Sequence, residues 1–253
     1  MSQGYTISEE YTLPSLGKVY DVKVNPVVKL RSMTTEDEMK RLSPSERSYK
    51  NLCEIIDDCL VEDPGISAYD MCLADYIFLL HKLRVVTYGS GYNVDSVCPF
   101  CGSTNNDIIQ LDEMEVKYFD ENNFVELSQF VLPKTGKNIK IRMQTPRMMD
   151  DVTLRNKEVQ RRTKGHSGDS AFLYTIQEMI DTINGKVVDV VTLEDFVRKL
   201  PMMDTNYIAQ HALKLVESFG IDNTVNRTCP ICGLDYTSSF RLTEEFFRPR
   251  IDI

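Results

Sequence analysis

The sequence predicts an α+β fold of mixed helices and antiparallel hairpins, and three observations carry that reading. The five-residue word CPxCG occurs twice, at Cys98-Pro99-Phe100-Cys101-Gly102 and at Cys229-Pro230-Ile231-Cys232-Gly233, each time between polar stretches with strand-like alternation. A segment from 67 to 89 is apolar on more than one helical side, at Ile77, Phe78, Leu79 and Leu80, and predicts a central buried helix. The interval from about 146 to 220 is helical in period, with start and stop signals for four helices.

Taken in order, residues 1–32 read as two or three short strands, with Tyr20, Val22 and Val24 alternating before Val27, Val28 and Leu30. Ser43-Pro44-Ser45-Glu46 has the form of a helix start, with a capping Ser, Pro at the first position and Glu three residues on. Ser67 caps the next helix, which ends near Gly89. Tyr92 to Val97 and Asp107 to Leu111 flank the first cysteine word as a hairpin, and Phe124 to Leu132 with Asn138 to Met143 form a second. Thr145-Pro146 opens a helix to about Thr163, Asp169 opens another that stops at Asn184-Gly185, Thr192 with Asp195 starts a short one, and Asp204 caps the last, which stops at Gly220. Thr224 to Thr228 and Tyr236 to Arg241 flank the second cysteine word. The expected organisation is 1–145 for the strand and helix region with the first knuckle and hairpin, 146–220 for an inserted helical lobe, and 221–253 for the second knuckle and tail.

The two-residue gap in each word lets both sulfurs turn to one side, and two such pairs supply the four thiolates of a tetrahedral structural zinc site. The expected ligands of one Zn²⁺ are Cys98, Cys101, Cys229 and Cys232. From residue 102 to residue 228, 127 residues separate the pairs, where an ordinary ribbon has roughly 15 to 20. Closing so long a loop costs roughly 4 kcal/mol, against about 10 to 16 kcal/mol contributed by structural zinc in small peptides. A split four-cysteine zinc ribbon with a lobe inserted between its halves follows. Redox-active pairs, two sites completed by other ligands or by a second copy, and four unrelated buried thiols are the competing readings. A redox CxxC opens a helix after a strand, unlike either word here. Cys53, Cys59 and Cys72 fall at apolar helical positions as small buried hydrophobes.

Seven cysteines, an odd number, suit a reducing compartment, and a polar N-terminus with no apolar run near 18 residues leads to the expectation of a cytosolic chain with no membrane partner. Twenty-nine Lys and Arg against 38 Asp and Glu give a net charge of −9, which disfavours nucleic acid. The one basic cluster, Arg155, Lys157, Arg161, Arg162 and Lys164 before the turn Gly165-His166-Ser167-Gly168, reads first as a solvated helix end and second as a phosphate-binding stripe. No phosphate-cradling loop, HExxH, GxSxG or dinucleotide fingerprint is present. His81 and His211 lie in predicted helices, Asp57-Asp58 and Asp150-Asp151 diverge around their axes as solvated pairs, and Gly89-Ser90-Gly91 reads as a turn. No catalytic or cofactor-binding residue is assigned, and the chain reads as a non-enzyme.

LPSLGKVY at Leu13 to Tyr20, LRSMTTEDE at Leu30 to Glu38, and the run of Asp75, Leu79, Leu80, Leu83, Arg84, Tyr88, Gly89 and Tyr92 into CPFCG resemble the baseplate hub and hub-assembly proteins of contractile-tailed phages, the T-even-type baseplate family. The hairpin LPKTGKNIKIR, at Leu132 to Arg142, is similar to that family's as well, and the resemblance covers roughly residues 10 to 145. It implies a structural or assembly component of the baseplate hub in the virion tail, assembled in the host cytoplasm, with other baseplate and tail proteins as partners and room for a homo-oligomer. It implies no enzymatic activity. Leu13, Pro14, Gly17 and Tyr20 would then make either a subunit contact or an internal turn, and Arg31, Met33, Thr34 and Thr35 would join a strand to a helix start. Chain ends are ordered where something pins them, so Phe246, Phe247, Arg248 and Arg250 are expected to be buried against a neighbouring subunit. A zinc-ribbon nucleic-acid-binding or transcription-associated factor is the alternative, and a thiol oxidoreductase the third class.

Overall fold

A strand pair opens the chain, β1 (Ser8–Thr12) against β2 (Val27–Arg31), in the computed structural model, which describes residues 6–164, 170–239 and 244–247. Helices α1 (Thr35–Arg41), α2 (Ser48–Cys59) and α3 (Leu73–Tyr88) follow, then the hairpin β3 (Gly91–Val97) and β4 (Thr104–Gln110). Short β5 (Val116–Lys117) leads to α4 (Glu121–Ser128), β6 (Gln129–Val131), β7 (Asn138–Ile141), α5 (Pro146–Arg162), α6 (Ala171–Met179) and β8 (Ile180–Ile183). Helices α7 (Val190–Lys199) and α8 (Met202–Glu217) precede β9 (Gly220–Ile221), which pairs with β5, and the hairpin β10 (Thr224–Thr228) and β11 (Asp235–Ser239). Every named sheet is antiparallel, and the largest is the three-stranded β6-β7-β8.

Helix α3 is the central element. Eleven of its sixteen residues are buried, so it has no solvent face and its sequence shows no amphipathic stripe. Its buried cations are accommodated by rings and carbonyls. The Lys82 ammonium lies over Tyr11 and Phe78. Arg84 donates to the Gly89 carbonyl at 2.9 Å and the Gly91 carbonyl at 3.2 Å, beside Tyr88 and Tyr92. Leu79 and Leu83 join Val28, Leu30, Cys53, Ile56 and Cys59 in the first core. A second core gathers Leu132, Ile139 and Ile141 from the β6-β7 hairpin with Ile176, Ile208 and Leu215 from the later helices, so it draws on strands that precede residue 145.

Several elements differ from the sequence expectation, mostly because a distant side chain supplies what a local signal did not. Tyr20 to Val24 form no strand. The Tyr20 hydroxyl donates to Asp75 at 2.6 Å, and Gly17, at φ 70°, turns so close to Val24 that a Cβ would stand 2.7 Å from its carbonyl oxygen. Leu13, Pro14 and Ser15 are buried in the same loop, which within the chain forms an internal turn. Helix α2 begins at Ser48, past the expected start, because Asp150 of α5 accepts its Lys50 N–H at 2.9 Å and Tyr49 N–H at 3.3 Å. Asp57 likewise accepts the Ala68 N–H and the Ser67 hydroxyl, so Ser67 closes a turn and α3 starts only at Leu73. Neither Asp57 nor Asp150 is a solvated carboxylate.

Phe124 to Ser128 are helical, with Asp120 accepting the Asn123 N–H as the cap. The helix expected to run to Asn184 stops at Met179 and continues as β8; its expected start, Asp169, lies outside the described residues. Asn184 and Gly185, both at positive φ, make the tight turn after that strand. Asp189, rather than Thr192, caps α7. Asp204 lies inside α8 and accepts the Lys134 N–H at 2.8 Å and the Thr135 N–H at 2.9 Å, capping the β6-β7 turn in place of its own helix. Phe246 and Phe247 fill the first core of their own chain, Phe246 against His81 and Tyr92, and not a neighbour's surface; Arg248 and Arg250 lie outside the described residues. Among the described residues, no helix is long and apolar enough to cross a membrane.

Asp75 anchors the whole 13–20 loop through the Ser15 N–H at 2.9 Å, the Ser15 hydroxyl at 2.5 Å and Tyr20. Burial raises its carboxyl above the ordinary range, and the bonds from Ser15 and Tyr20 pull it part of the way back. The native state therefore holds this proton more tightly than the unfolded chain. The associated stability is fully present below the unfolded pKa, about 3.9, and is lost as pH rises through the folded value. Relative to Asp75→Asn, the wild type is expected to lose stability progressively as pH rises above about 4, read by urea unfolding across pH; parallel profiles for the two proteins would contradict the assignment.

Candidate functional site: the four-cysteine cluster

Each cysteine word forms the same turn. Cys98 N–H donates to the Ser103 carbonyl and Gly102 N–H to the Cys98 carbonyl; in the second copy, Cys229 N–H donates to Leu234 and Gly233 N–H to Cys229, all at 2.8 to 3.0 Å. Gly102 and Gly233 both take φ above 70° with open space around the missing Cβ, so the backbone angle alone calls for glycine there. The turns sit at the tips of β3-β4 and β10-β11 and face each other.

All four sulfurs lie within 4.8 Å of one another. Cys98 Sγ is 3.8 Å from Cys232 Sγ, and Cys101 Sγ is 3.7 Å from Cys229 Sγ. A disulfide has its sulfurs about 2.05 Å apart, and all four thiols are free. Tetrahedral zinc with Zn–S bonds near 2.3 Å sets its sulfurs about 3.8 Å apart, so the donor set and spacing are compatible with a zinc site. Cys98 and Cys229 are buried, and Cys101 is exposed.

The protonation pattern fits a cation as well. The Ser103 hydroxyl, 3.3 Å from Cys229 Sγ, and the backbone N–H groups of Cys232 and Ile231 hold the Cys229 thiol down at about 5. Ser103 also lowers Cys101. Cys232 accepts from the Leu234 N–H, which favours its thiolate, but burial and the three neighbouring sulfurs push it up to about 12. Four clustered sulfurs thus resist carrying four negative charges by themselves; a divalent cation removes that repulsion.

Behind the sulfurs, the hairpins are joined by polar side chains that the sequence did not single out. Ser96 faces Asn105 across β3-β4, and Arg227 faces Tyr236 across β10-β11. The Tyr236 hydroxyl bonds Ser96 Oγ at 2.8 Å and accepts from Asn105 Nδ2 at 2.9 Å, while Arg227 pairs with Asp107. A signal existed: Ser96 and Arg227 each stand two residues before the first cysteine of their word, and strand alternation puts them on the sulfur face.

The other candidates lie elsewhere. His81 is buried in the first core, and His211 packs 4.0 Å from the Phe130 ring with Nδ1 3.0 Å from the Leu127 carbonyl. His166 and its glycine turn lie outside the described residues. Of the basic cluster, Arg155 pairs with Glu194 at 2.7 Å over the Tyr174 ring, and Arg162 pairs with Glu158. Asp58 and Asp151 pair with Lys40 and Arg47.

Two hairpins from distant parts of the chain are thus brought together at a thiol cluster, which marks the molecule as a cross-tied scaffold. A family model described as T4 bacteriophage base plate protein matches residues 5–248, and the chain belongs to that family. Neither characterised proteins nor solved structures yield a match. Membership supports a structural baseplate component, placed in the virion tail among other tail proteins. Tyr236→Phe removes the hydroxyl shared by Ser96 and Asn105 and leaves the buried Asn105 amide only the Cys229 sulfur, 3.8 Å away, as an acceptor. A loss of about 1 to 3 kcal/mol is expected in urea or thermal unfolding; an unchanged midpoint would show that the two hairpins do not depend on this contact.

Proposed function

We propose that this chain is a structural or assembly component of the baseplate hub, acting by protein-protein contacts and carrying one structural zinc on Cys98, Cys101, Cys229 and Cys232. The approach of two sulfur pairs so far apart in the chain is the observation that carries the zinc; family membership carries the baseplate. The arrangement is read as a split zinc ribbon, with the lobe of residues 146–220 and the β6-β7 hairpin packed as one body between its halves. Four thiolates fill a tetrahedral ion and leave no position for substrate or activated water, which accords with a non-enzymatic role. Zinc, when bound, supplies a cross-link between the hairpins. The protein supplies the rest: Ser103 and the knuckle amides favour thiolates, and Ser96, Asn105 and Tyr236 hold the hairpins in register. Assembly in the host cytoplasm, before incorporation into the tail, belongs to the same reading.

Metal analysis of the purified chain is expected to find about one zinc per protein, in line with a closed four-thiolate site. Cys98→Ser or Cys229→Ser is expected to lose the metal, to lower the melting temperature by several degrees, and to fail in complementing baseplate assembly. A metal-free wild type whose melting is untouched by chelators would remove the zinc, and baseplates that form normally without the chain would remove the hub role.

A further inference from the structure

One end of the helical lobe is built from three pieces fastened to one another. Asp204 holds the β6-β7 turn, and Asn184 and Asn138 exchange hydrogen bonds that bring the β8 turn beside it. This end exposes Met202, Met203 and Val187, the last at 81%. Around them stand Lys134, Lys137 and Lys186, all exposed and none in an ion pair among the described residues. The neighbouring carboxylates are engaged elsewhere, Asp204 on backbone amides and Asp189 on the cap of α7. A basic, apolar tip on a chain of net charge −9 calls for an acidic, apolar partner.

The same chain presents such a surface on its other core. Helix α1 exposes Met39 at 68% and Leu42 at 57%, and Val61 lies exposed past the end of α2, whose Asp58 pairs with Lys40 of α1. Three of the cations there are paired internally, Lys40 with Asp58, Arg41 with Glu38 and Arg31 with Asp37, and Lys29, whose carbonyl accepts the Val61 N–H, is half-buried. Exposed Glu36 and Glu62 remain without an ion pair among the described residues.

We infer that the lysine and methionine end of the helical lobe docks onto the α1 face of a second copy of this chain, head to tail. The two surfaces differ, so the contact is heterologous and adds further copies into a ring or an open chain. The inference rests on the reading of this protein as a contact-making baseplate component, and it adds the partner and the surface.

Sedimentation of the full-length protein tests it. The wild type is expected to associate with rising concentration and to weaken at least about tenfold between low and high salt. A lobe-end variant, Lys134→Glu with Lys137→Glu and Lys186→Glu, and an α1-face variant, Glu36→Lys with Glu62→Lys, are each expected to be monomeric with unchanged melting. Mixed, they restore association, because each now carries the complement of the other's altered face. A wild type that stays monomeric at about 100 μM, well above common working affinities, overturns the inference, as does association that survives both variants or a mixture that stays monomeric. A monomeric wild type that still enters baseplates would leave the proposed function standing while removing this contact.

Discussion

The two cysteine hairpins meet only because everything between them leaves and returns at one place. Cys101 and Cys229 stand 3.7 Å apart, and the excursion between them is clamped a second time where β5 pairs with β9. There Val116 faces Ile221, Lys117 pairs with Asp222 at 2.8 Å, and the Asp222 N–H donates to the Glu115 carbonyl. Loop-closure entropy grows only logarithmically with length, so once one clamp is made the other closes a much shorter span and costs little. The second core lies mostly in the segment between the clamps, with Cys72 and Ala74 joining it at the start of α3. Asp150 on the Tyr49 and Lys50 amides and Arg147 on Asp70 tie that segment to the N-terminal helices as well, so its position rests on these contacts together with the two clamps.

A second device recurs through the molecule: an aspartate on one helix caps backbone amides far away. Asp57 serves Ala68, Asp75 serves Ser15, Asp150 serves Tyr49 and Lys50, and Asp204 serves Lys134 and Thr135. A buried carboxylate is tolerated when several donors converge on it, and each of these links two chain segments that apolar packing alone would leave free to slide. Asp75 ties the motif loop of residues 13–20 to α3, and Asp150 ties the start of α2 to α5.

That device explains which elements were legible. The cysteine words, the buried α3 and the Thr145-Pro146 start are local signals, and each appears where its residues place it. The starts at Ser43 and Ser67 fail because local capping rules look three residues ahead, while the first amides of α2 are capped by distant Asp150 and Ser67 is held in a turn by Asp57. Asn184-Gly185 reads equally as a helix stop or a hairpin turn, since both need positive φ; only the pairing of Ile183 with Ile139 decides it. Around the sulfurs, Ser96, Asn105 and Tyr236 belong to no motif, and the one local signal is the strand alternation that puts Ser96 on the same face as Cys98.

Several residues that carry the family resemblance are interior. Leu13, Pro14 and Ser15 are buried under Asp75, Leu79 and Leu83 fill the first core, and Arg84 locks the turn at Gly89 and Gly91. Thr34 and Asp37 form a reciprocal cap at the start of α1. Such a motif specifies how the chain folds and says little about what it touches, since a side chain consumed by an internal turn is not available to a neighbour. Other side chains of the same motifs, such as Glu36, Lys134 and Lys137, stand exposed and take no part in those turns. Exposed apolar side chains stand at several places on the chain, among them Met39 and Leu42 on α1, Val125 on α4, Phe172 on α6 and Met202 and Met203 on α8, so burial separates the residues that fix the fold from those left free for contact.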